Sequence, residues 1–296
     1  MIQVRRLGHA SFSTPDLERQ VDYYANVLGL RILARDKDRA FLACRTGLEA
    51  IALERGDAVT LKRLSFQVAP DSDFSAIAQK LGDLGIKSER RSGISPGIAD
   101  ALVFSDIKGT LIELFSEYRF IEDDGVQAVI TPLKLGHVAY RVTDVQAVTK
   151  FYTDVLGFRV SDWRDTTFSF LRCNTDHHTV NFVVDPKPQL HHIAFEVKDW
   201  PEIHRASDFL AKNDIQLVWG PARHIIGHNI AAYHRNADYV RVELFCEMDQ
   251  MKDEALGWFD PRPWHQDRPQ LPKTWPKDTM RNYWGFASHG TFPGYP

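Results

Sequence analysis

Apolar positions along the chain follow the two-residue period of strands in some segments and the 3.6-residue period of helices in others. Strand-like patterns occupy residues 4–12 and 135–142, and an amphipathic helical pattern follows each of them. Thr14 and Pro15 are expected to start the first of these helices, as its N-cap and first helical residue. Short β-rich stretches then predict strands at residues 39–44, 50–54, 158–163, 167–173 and 180–184.

The same order of strand, helix and strands recurs later in each half. Strand patterns at residues 63–68 and 192–197 precede helical patterns at residues 74–84 and 203–213. Further strands are predicted at residues 98–105, 110–115, 229–233 and 239–246. The pattern therefore predicts four βαβββ-like modules, and the charged residues 89–91 are expected to form a solvated turn.

Two long segments of the chain are near copies of each other. Leu7-Gly8-His9 is repeated as Leu135-Gly136-His137, and YYANVLGL from residue 23 is repeated as FYTDVLGF from residue 151, always 128 residues later. Such self-similarity indicates one supersecondary unit used twice. We therefore predict an α+β protein with two tandem domains, at residues 1–120 and 133–247. A proline- and tryptophan-rich tail, residues 248–296, is expected to pack back on them.

Composition excludes several classes of protein. The net charge is −3 and the charged residues are mixed along the sequence, so no electrostatic footprint for nucleic acid is expected. No apolar run approaches the roughly 18 residues of a membrane span, and no membrane association is predicted. The three cysteines are widely separated, which fits buried thiols in a reducing cytoplasm.

The two halves differ at one chemically important position. His137 matches His9 and Glu243 matches Glu113, but His192 falls opposite Arg63. Two imidazoles and one carboxylate on separate strands suit a divalent iron or a similar metal, with one side open to substrate and oxygen. We therefore predict that His137, His192 and Glu243 bind the metal. His9 and Glu113 are expected to serve packing or a salt bridge in a first domain without metal.

At these residues the sequence resembles the type I extradiol ring-cleavage dioxygenases of the vicinal oxygen chelate superfamily. His178, in the run Asp176-His177-His178-Thr179, precedes the strand before the second ligand, as in that family. His224 and Tyr233 stand 19 and 10 residues before Glu243, again at the family's spacing. The resemblance implies two open, curled mixed sheets. It also implies cleavage of a catechol or trihydroxybenzene beside the diol by O2 at Fe(II), with Mn(II) as an alternative metal.

The resemblance also assigns roles to single residues. His224 and Tyr233 are expected to bond the oxygens of the small aromatic diol, and His178 to act as an acid and base on the oxygen side. Arg281, in the tail that packs on or covers the active site, is expected to meet a substrate carboxylate. Trp219 replaces a second arginine of some relatives, which favours a neutral catechol as substrate. Trp219 and Phe170 are expected to touch the ring.

Two rival functions remain open at this point. A metal-dependent glyoxalase would use the same scaffold, and a non-catalytic member would bind an aromatic ligand without changing it. The resemblance also favours a homo-oligomer, a dimer or a tetramer. Two further expectations concern histidines: His191 should point away from His192, because neighbours on a strand face opposite sides, and His228 is a candidate for the pocket wall.

Overall fold

A computed structural model of the chain describes residues 2–122, 125, 128–253, 255–256, 258–260 and 270–285. The first half contains the following elements: β1 (Val4–Thr14), α1 (Leu17–Asp22) with a π-helical turn (Tyr23–Val27), β2 (Arg31–Arg35), β3 (Arg39–Ala43), β4 (Glu49–Arg55), β5 (Thr60–Val68), α2 (Phe74–Asp83), β6 (Ser88–Ser95), β7 (Ile98–Ser105) and β8 (Leu111–Phe115). Their strands form one sheet in the order β2-β3-β4-β1-β5-β8-β7-β6.

The second half repeats this plan. Its elements are β9 (Lys134–Val142), α3 (Val145–Asp154), β10 (Arg159–Arg164), β11 (Phe168–Arg172), β12 (Val180–Val184), β13 (Gln189–Glu196), α4 (Trp200–Lys212), β14 (Trp219–Arg223), β15 (Ile230–Arg235), β16 (Arg241–Cys246), β17 (Met251–Asp253), β18 (Trp258–Phe259) and β19 (Lys273–Trp275). The large sheet has the order β14-β15-β16-β13-β9-β12-β11-β10-β19. Two curled mixed sheets with few helices confirm the predicted α+β fold.

Six strands of the described structure were not predicted from the sequence pattern: β2, β6, β14, β17, β18 and β19. Residues 89–91 were expected to form a solvated turn, and that expectation is wrong because they lie within β6. This strand is at the edge of its sheet and pairs only with β7 in the described structure. Charged side chains are tolerated, and even favoured, on edge strands because they discourage pairing with another chain. The apolar pattern on which the prediction relied is therefore missing there.

The helix starts follow local capping chemistry. The first helix begins at Leu17 rather than at Pro15, because the carboxylate of Asp16 accepts a hydrogen bond from the Arg19 N–H. Thr14 instead ends β1. Asp144 caps α3 in the same way through the Ala147 N–H. Within the described residues, no helix is long and apolar enough to cross a membrane.

Two equivalent glycines lie where the two domains contact each other. Gly29 and Gly157, at the same position of the repeat, both have a φ of 74° and end the first helix of their domain. A Cβ on Gly157 would lie 2.2 Å from the Ile2 carbonyl oxygen, and one on Gly29 would lie 2.1 Å from the Ile130 carbonyl oxygen. The segment before the first strand of each domain therefore packs against the helix end of the other.

The replacement Gly157→Ala is expected to lower the free energy of unfolding by about 2–4 kcal/mol, because alanine meets both the positive φ and the Ile2 carbonyl. Chemical denaturation measures this loss. The matched control is Gly82→Ala, inside α2, where the added Cβ has no atom within 4 Å. There the free energy of unfolding should rise, by up to about 1 kcal/mol. Equal stability of Gly157→Ala and the wild type would contradict the close approach.

Candidate metal centre and active site

The three predicted metal ligands lie on three adjacent strands of the second sheet. His137 is on β9, His192 on β13 and Glu243 on β16, and these strands are neighbours in the order β16-β13-β9. Ala194 pairs with His137 on one side and with Glu243 on the other. Because residues two apart on a strand share a face, His192 lies on the same face as Ala194. The topology thus brings all three side chains together.

The ligand atoms of this group form a nearly equilateral triangle. His137 Nε2 lies 3.1 Å from His192 Nε2 and 3.1 Å from Glu243 Oε2, and His192 Nε2 lies 3.1 Å from the same oxygen. Adjacent ligands at right angles around an ion, each about 2.1 Å away, would be about 3 Å apart. The residues therefore fit a divalent metal, bound on one side by two neutral imidazoles and a carboxylate.

The electrostatics of the group agree with this fit. Burial alone would raise the pKa of Glu243, but His137 and His192 hold it well below its usual value, so the carboxylate is ionised. Burial lowers the pKa of His192 to about 4, which keeps its imidazole neutral and available as a ligand. Asn229 Nδ2 donates to Glu243 Oε1 at 2.9 Å and orients the carboxylate.

The first domain has an ion pair at the equivalent place. Arg63 Nε lies 2.9 Å from Glu113 Oε1, and His9 Nε2 lies 3.3 Å from Glu113 Oε2. The Ser65 hydroxyl, at the position of the small Ala194, bonds both His9 and Glu113. Arg63 thus supplies a positive charge next to Glu113, at the position where the second domain has His192.

His191 does not point away from His192, so that expectation is wrong. A β-bulge between Leu190 and His192 interrupts the pairing of β13 with β9. The bulge breaks the alternation of faces, and both histidines line the same cavity, with His191 Nδ1 2.6 Å from His192 Nδ1. His191 therefore lies on the cavity side of the sheet, where it supports the ring of the predicted ligand His192.

A cavity of about 510 Å³ opens on the three ligand side chains. Its size suits a small aromatic ligand. His178, His224 and Tyr233 all line it, together with Phe170, Trp219 and Arg281. The structure thus places every predicted site residue at one cavity. His228 is not among the lining residues: its ring is buried and its Nδ1 lies 2.6 Å from Asp249 Oδ2.

One side of the cavity carries a hydrogen-bonded pair that reaches the tail. The Arg281 carbonyl oxygen lies 3.1 Å from His224 Nδ1 and can only accept, so His224 carries its proton on Nδ1. His224 Nε2 then accepts from the Tyr233 hydroxyl, 3.0 Å away. Burial lowers the pKa of His224 and raises that of Tyr233, so the pair is a neutral imidazole and a neutral phenol.

Aromatic rings hold the polar side chains in place. Trp219 stacks on His224, with ring centroids 4.7 Å apart and an interplanar angle of 10°. Phe170 packs edge-on against His178, with ring centroids 5.5 Å apart. Both rings contribute apolar wall as well, so an aromatic ligand would meet flat apolar surface beside the metal ligands.

Several residues that shape the site were not singled out in the sequence. Asp162 on β10 bonds His177, and Trp275 on β19 bonds Asp162. Asn229, which orients Glu243, also went unnoticed. The available signal for Asp162 was its carboxylate, which occupies a position of the predicted strand at residues 158–163 where an apolar residue is usual.

Paired βαβββ modules in two curled sheets form a duplicated scaffold. Among the described residues, one group of two histidines and a carboxylate in it could hold a metal ion. The chain belongs to the Glyoxalase/Bleomycin resistance protein/Dioxygenase superfamily, whose family model matches residues 6–114 and 134–244. Metapyrocatechase of Pseudomonas sp. (strain CF600) is 25% identical over 267 residues, which cover 83% of this chain and 87% of the relative.

Two solved structures illustrate the similarity of fold. Homoprotocatechuate 2,3-dioxygenase from Brevibacterium fuscum, in its complex with 3,4-dihydroxyphenylacetate, has a TM-score of 0.83 and 24% identity, covering 97% of this chain and 90% of that one. The Mn(II)-bound glyoxalase from Novosphingobium aromaticivorans has a TM-score of 0.85 and 24% identity, covering 99% and 98%.

Proposed function

We propose that this chain is an extradiol dioxygenase, which opens the ring of a catechol or trihydroxybenzene beside the diol with O2 in the degradation of aromatic compounds. One observation carries the proposal: His178, His224 and Tyr233 meet the three-ligand centre at a single cavity. A structural metal site has no use for these additional acid, base and hydrogen-bonding groups. The similarity to metapyrocatechase supports the same class of reaction.

The metal is proposed to be Fe(II), with Mn(II) as the alternative. His137, His192 and Glu243 would hold such an ion, which would bring the diol and O2 together and favour the ionised diol. The ligand set suits both metals. Relatives of this chain include an extradiol dioxygenase named as iron-dependent and one named as manganese-dependent.

We propose that the side chains that act on the reactants lie on two sides of the metal ligands. His224 Nε2 accepts the proton of a substrate hydroxyl, because its own proton is held on Nδ1 by the Arg281 carbonyl. The Tyr233 hydroxyl, which now bonds His224, holds the substrate oxygen. On the other side of the centre, His178 takes up and returns a proton as O2 reacts, a role that suits an imidazole.

The diol panel described below tests the charge of the substrate. The expectation of a neutral catechol rested on Trp219 replacing one arginine. Three arginines besides Arg281 line the cavity, namely Arg164, Arg235 and Arg241. They come from different strands, so sequence spacing alone does not reveal that they meet. We propose that Arg281, Trp219 and Phe170 contact the substrate.

The test is oxygen uptake by the iron-reconstituted enzyme with a panel of diols. The panel contains catechol, 3- and 4-methylcatechol, a trihydroxybenzene, 3,4-dihydroxybenzoate and 3,4-dihydroxyphenylacetate. Stoichiometric oxygen uptake and the absorbance of a ring-opened semialdehyde are expected with at least one compound. Absence of oxygen uptake with the whole panel would contradict the proposal, and turnover of a glutathione adduct without oxygen uptake would favour a glyoxalase instead.

We also propose that the protein acts in the cytoplasm as a homo-oligomer. Its three cysteines are buried free thiols, which a reducing compartment preserves. Light scattering on the purified protein measures the oligomeric state directly.

A further inference from the structure

A buried chain of three polar side chains leads from β10 to the wall of the cavity. Asp162 Oδ2 lies 3.1 Å from His177 Nε2, and His177 Nδ1 lies 2.9 Å from His178 Nδ1. The side chains of Asp162 and His177 are fully inaccessible to solvent. Of the three, only His178 lines the cavity. Of the cavity-lining residues, His178 is the one that His177 hydrogen-bonds.

The tail fixes the direction of the hydrogen bonds in this chain. The Lys273 backbone N–H donates to Asp162 Oδ1 and the Trp275 indole N–H donates to Asp162 Oδ2, both at 2.8 Å. Asp162 thus accepts on both oxygens and receives a third hydrogen bond from His177 Nε2–H. With its proton on Nε2, His177 has a lone pair on Nδ1, and it accepts from His178 Nδ1–H.

We propose that Asp162 and His177 are positioning residues that fix the orientation and tautomer of His178, so that its Nε2 meets the cavity without a proton. The nitrogen left for the cavity is then a proton acceptor from the start. When His178 gains a proton there, the hydrogen bonds to His177 and onward to the Asp162 carboxylate stabilise the added charge. The expected effect on the rate of ring cleavage rests on the proposed function, whereas the tautomer of His178 does not.

A further observation supports this assignment. The His178 ring is fixed from the side, because Phe170 packs edge-on against both His177 and His178. Since Trp275 and Lys273 hold Asp162, strand β19 of the tail belongs to the same arrangement.

Histidine nitrogen NMR tests the tautomer without any turnover. The sample is the full-length, zinc-loaded protein, because Zn(II) is a diamagnetic substitute for Fe(II), and His177→Leu and His178→Gln spectra assign the two rings. The expected spectrum has His178 protonated on Nδ1 and unprotonated on Nε2. A proton on Nε2 with Nδ1 bare would overturn the proposal, whatever the enzyme does with catechols.

A pair of variants of similar size tests the consequence for catalysis. In His177→Asn the amide oxygen stands near the position of Nδ1 and still accepts from His178, whereas His177→Leu leaves no acceptor. We expect kcat of His177→Leu to fall about 10- to 100-fold, with the KM for the diol changed less than about twofold. His177→Asn should recover kcat to within about threefold of the wild type.

The outcomes separate positioning from a merely structural role and from a failure of the proposed function. An equal loss of kcat in His177→Leu and His177→Asn, or no loss in His177→Leu, would overturn the proposal. His204→Leu, a replacement of the 68% exposed histidine on α4, should leave kcat and KM unchanged. If the wild type consumed no oxygen with any diol, the proposed function would fail, and the nitrogen spectrum would still decide the tautomer.

Discussion

Replacing His137 by alanine is expected to abolish both metal binding and oxygen uptake. Its Nε2 forms two of the three 3.1 Å edges of the ligand triangle, so the variant keeps only His192 and Glu243. Two ligands hold a divalent ion poorly, and without the ion the diol loses both its positioning and its ionisation. Iron per chain should fall to near background, and kcat/KM should fall at least about 10³-fold.

The duplicated fold supplies a matched control for this variant. His9 occupies the same Leu-Gly-His position in the first domain and is equally buried. His9→Ala should retain iron and activity but melt at a lower temperature, because Glu49 and Glu113 lose a buried partner within 3.3 Å. Metal analysis, oxygen uptake and thermal unfolding of both variants test this. A normal iron content in His137→Ala would contradict the assignment of the centre.

The repeat explains why so much of the metal centre was predictable. Because the two halves share strands and helices, a residue type found in only one half at a matched position stands out against its copy. Arg63 opposite His192 is such a difference, and the structure shows its consequence in the ion pair between Arg63 and Glu113. Apolar periodicity likewise identified the strands that carry the candidate ligands, because these strands are buried.

Other parts of the site depend on features that periodicity does not encode. A bulge places His191 on the same side of the sheet as His192, and a single inserted residue in one strand leaves no periodic signal. Trp275 bonds Asp162 across 113 residues of chain, and this contact arises only when β19 joins the sheet beside β10. This pairing follows from the packing of residues 273–275 against β10 and not from local sequence preferences.

His224→Ala is expected to lower kcat/KM for catechol about 10²-fold, the usual contribution of a positioned general base. The Arg281 carbonyl holds the proton of His224 on Nδ1, so Nε2 is the acceptor available to a substrate hydroxyl. Burial lowers the pKa of His224 below its usual 6.5, so the base form is present above that lowered value. For the wild type, kcat/KM should therefore be constant near neutral pH and decline only in more acidic solution.

A substrate that needs no base distinguishes this role from a loss of packing. A nitro-substituted catechol has a more acidic hydroxyl and is largely ionised at neutral pH, so His224→Ala should lose far less kcat/KM with it than with catechol. Trp219 stacks on His224, and His224→Gln keeps part of that contact while supplying only a weak amide acceptor. Its rate with catechol should therefore stay low. Equal losses with both substrates, or an unchanged acidic limb of kcat/KM in His224→Ala, would show that His224 does not accept the substrate proton.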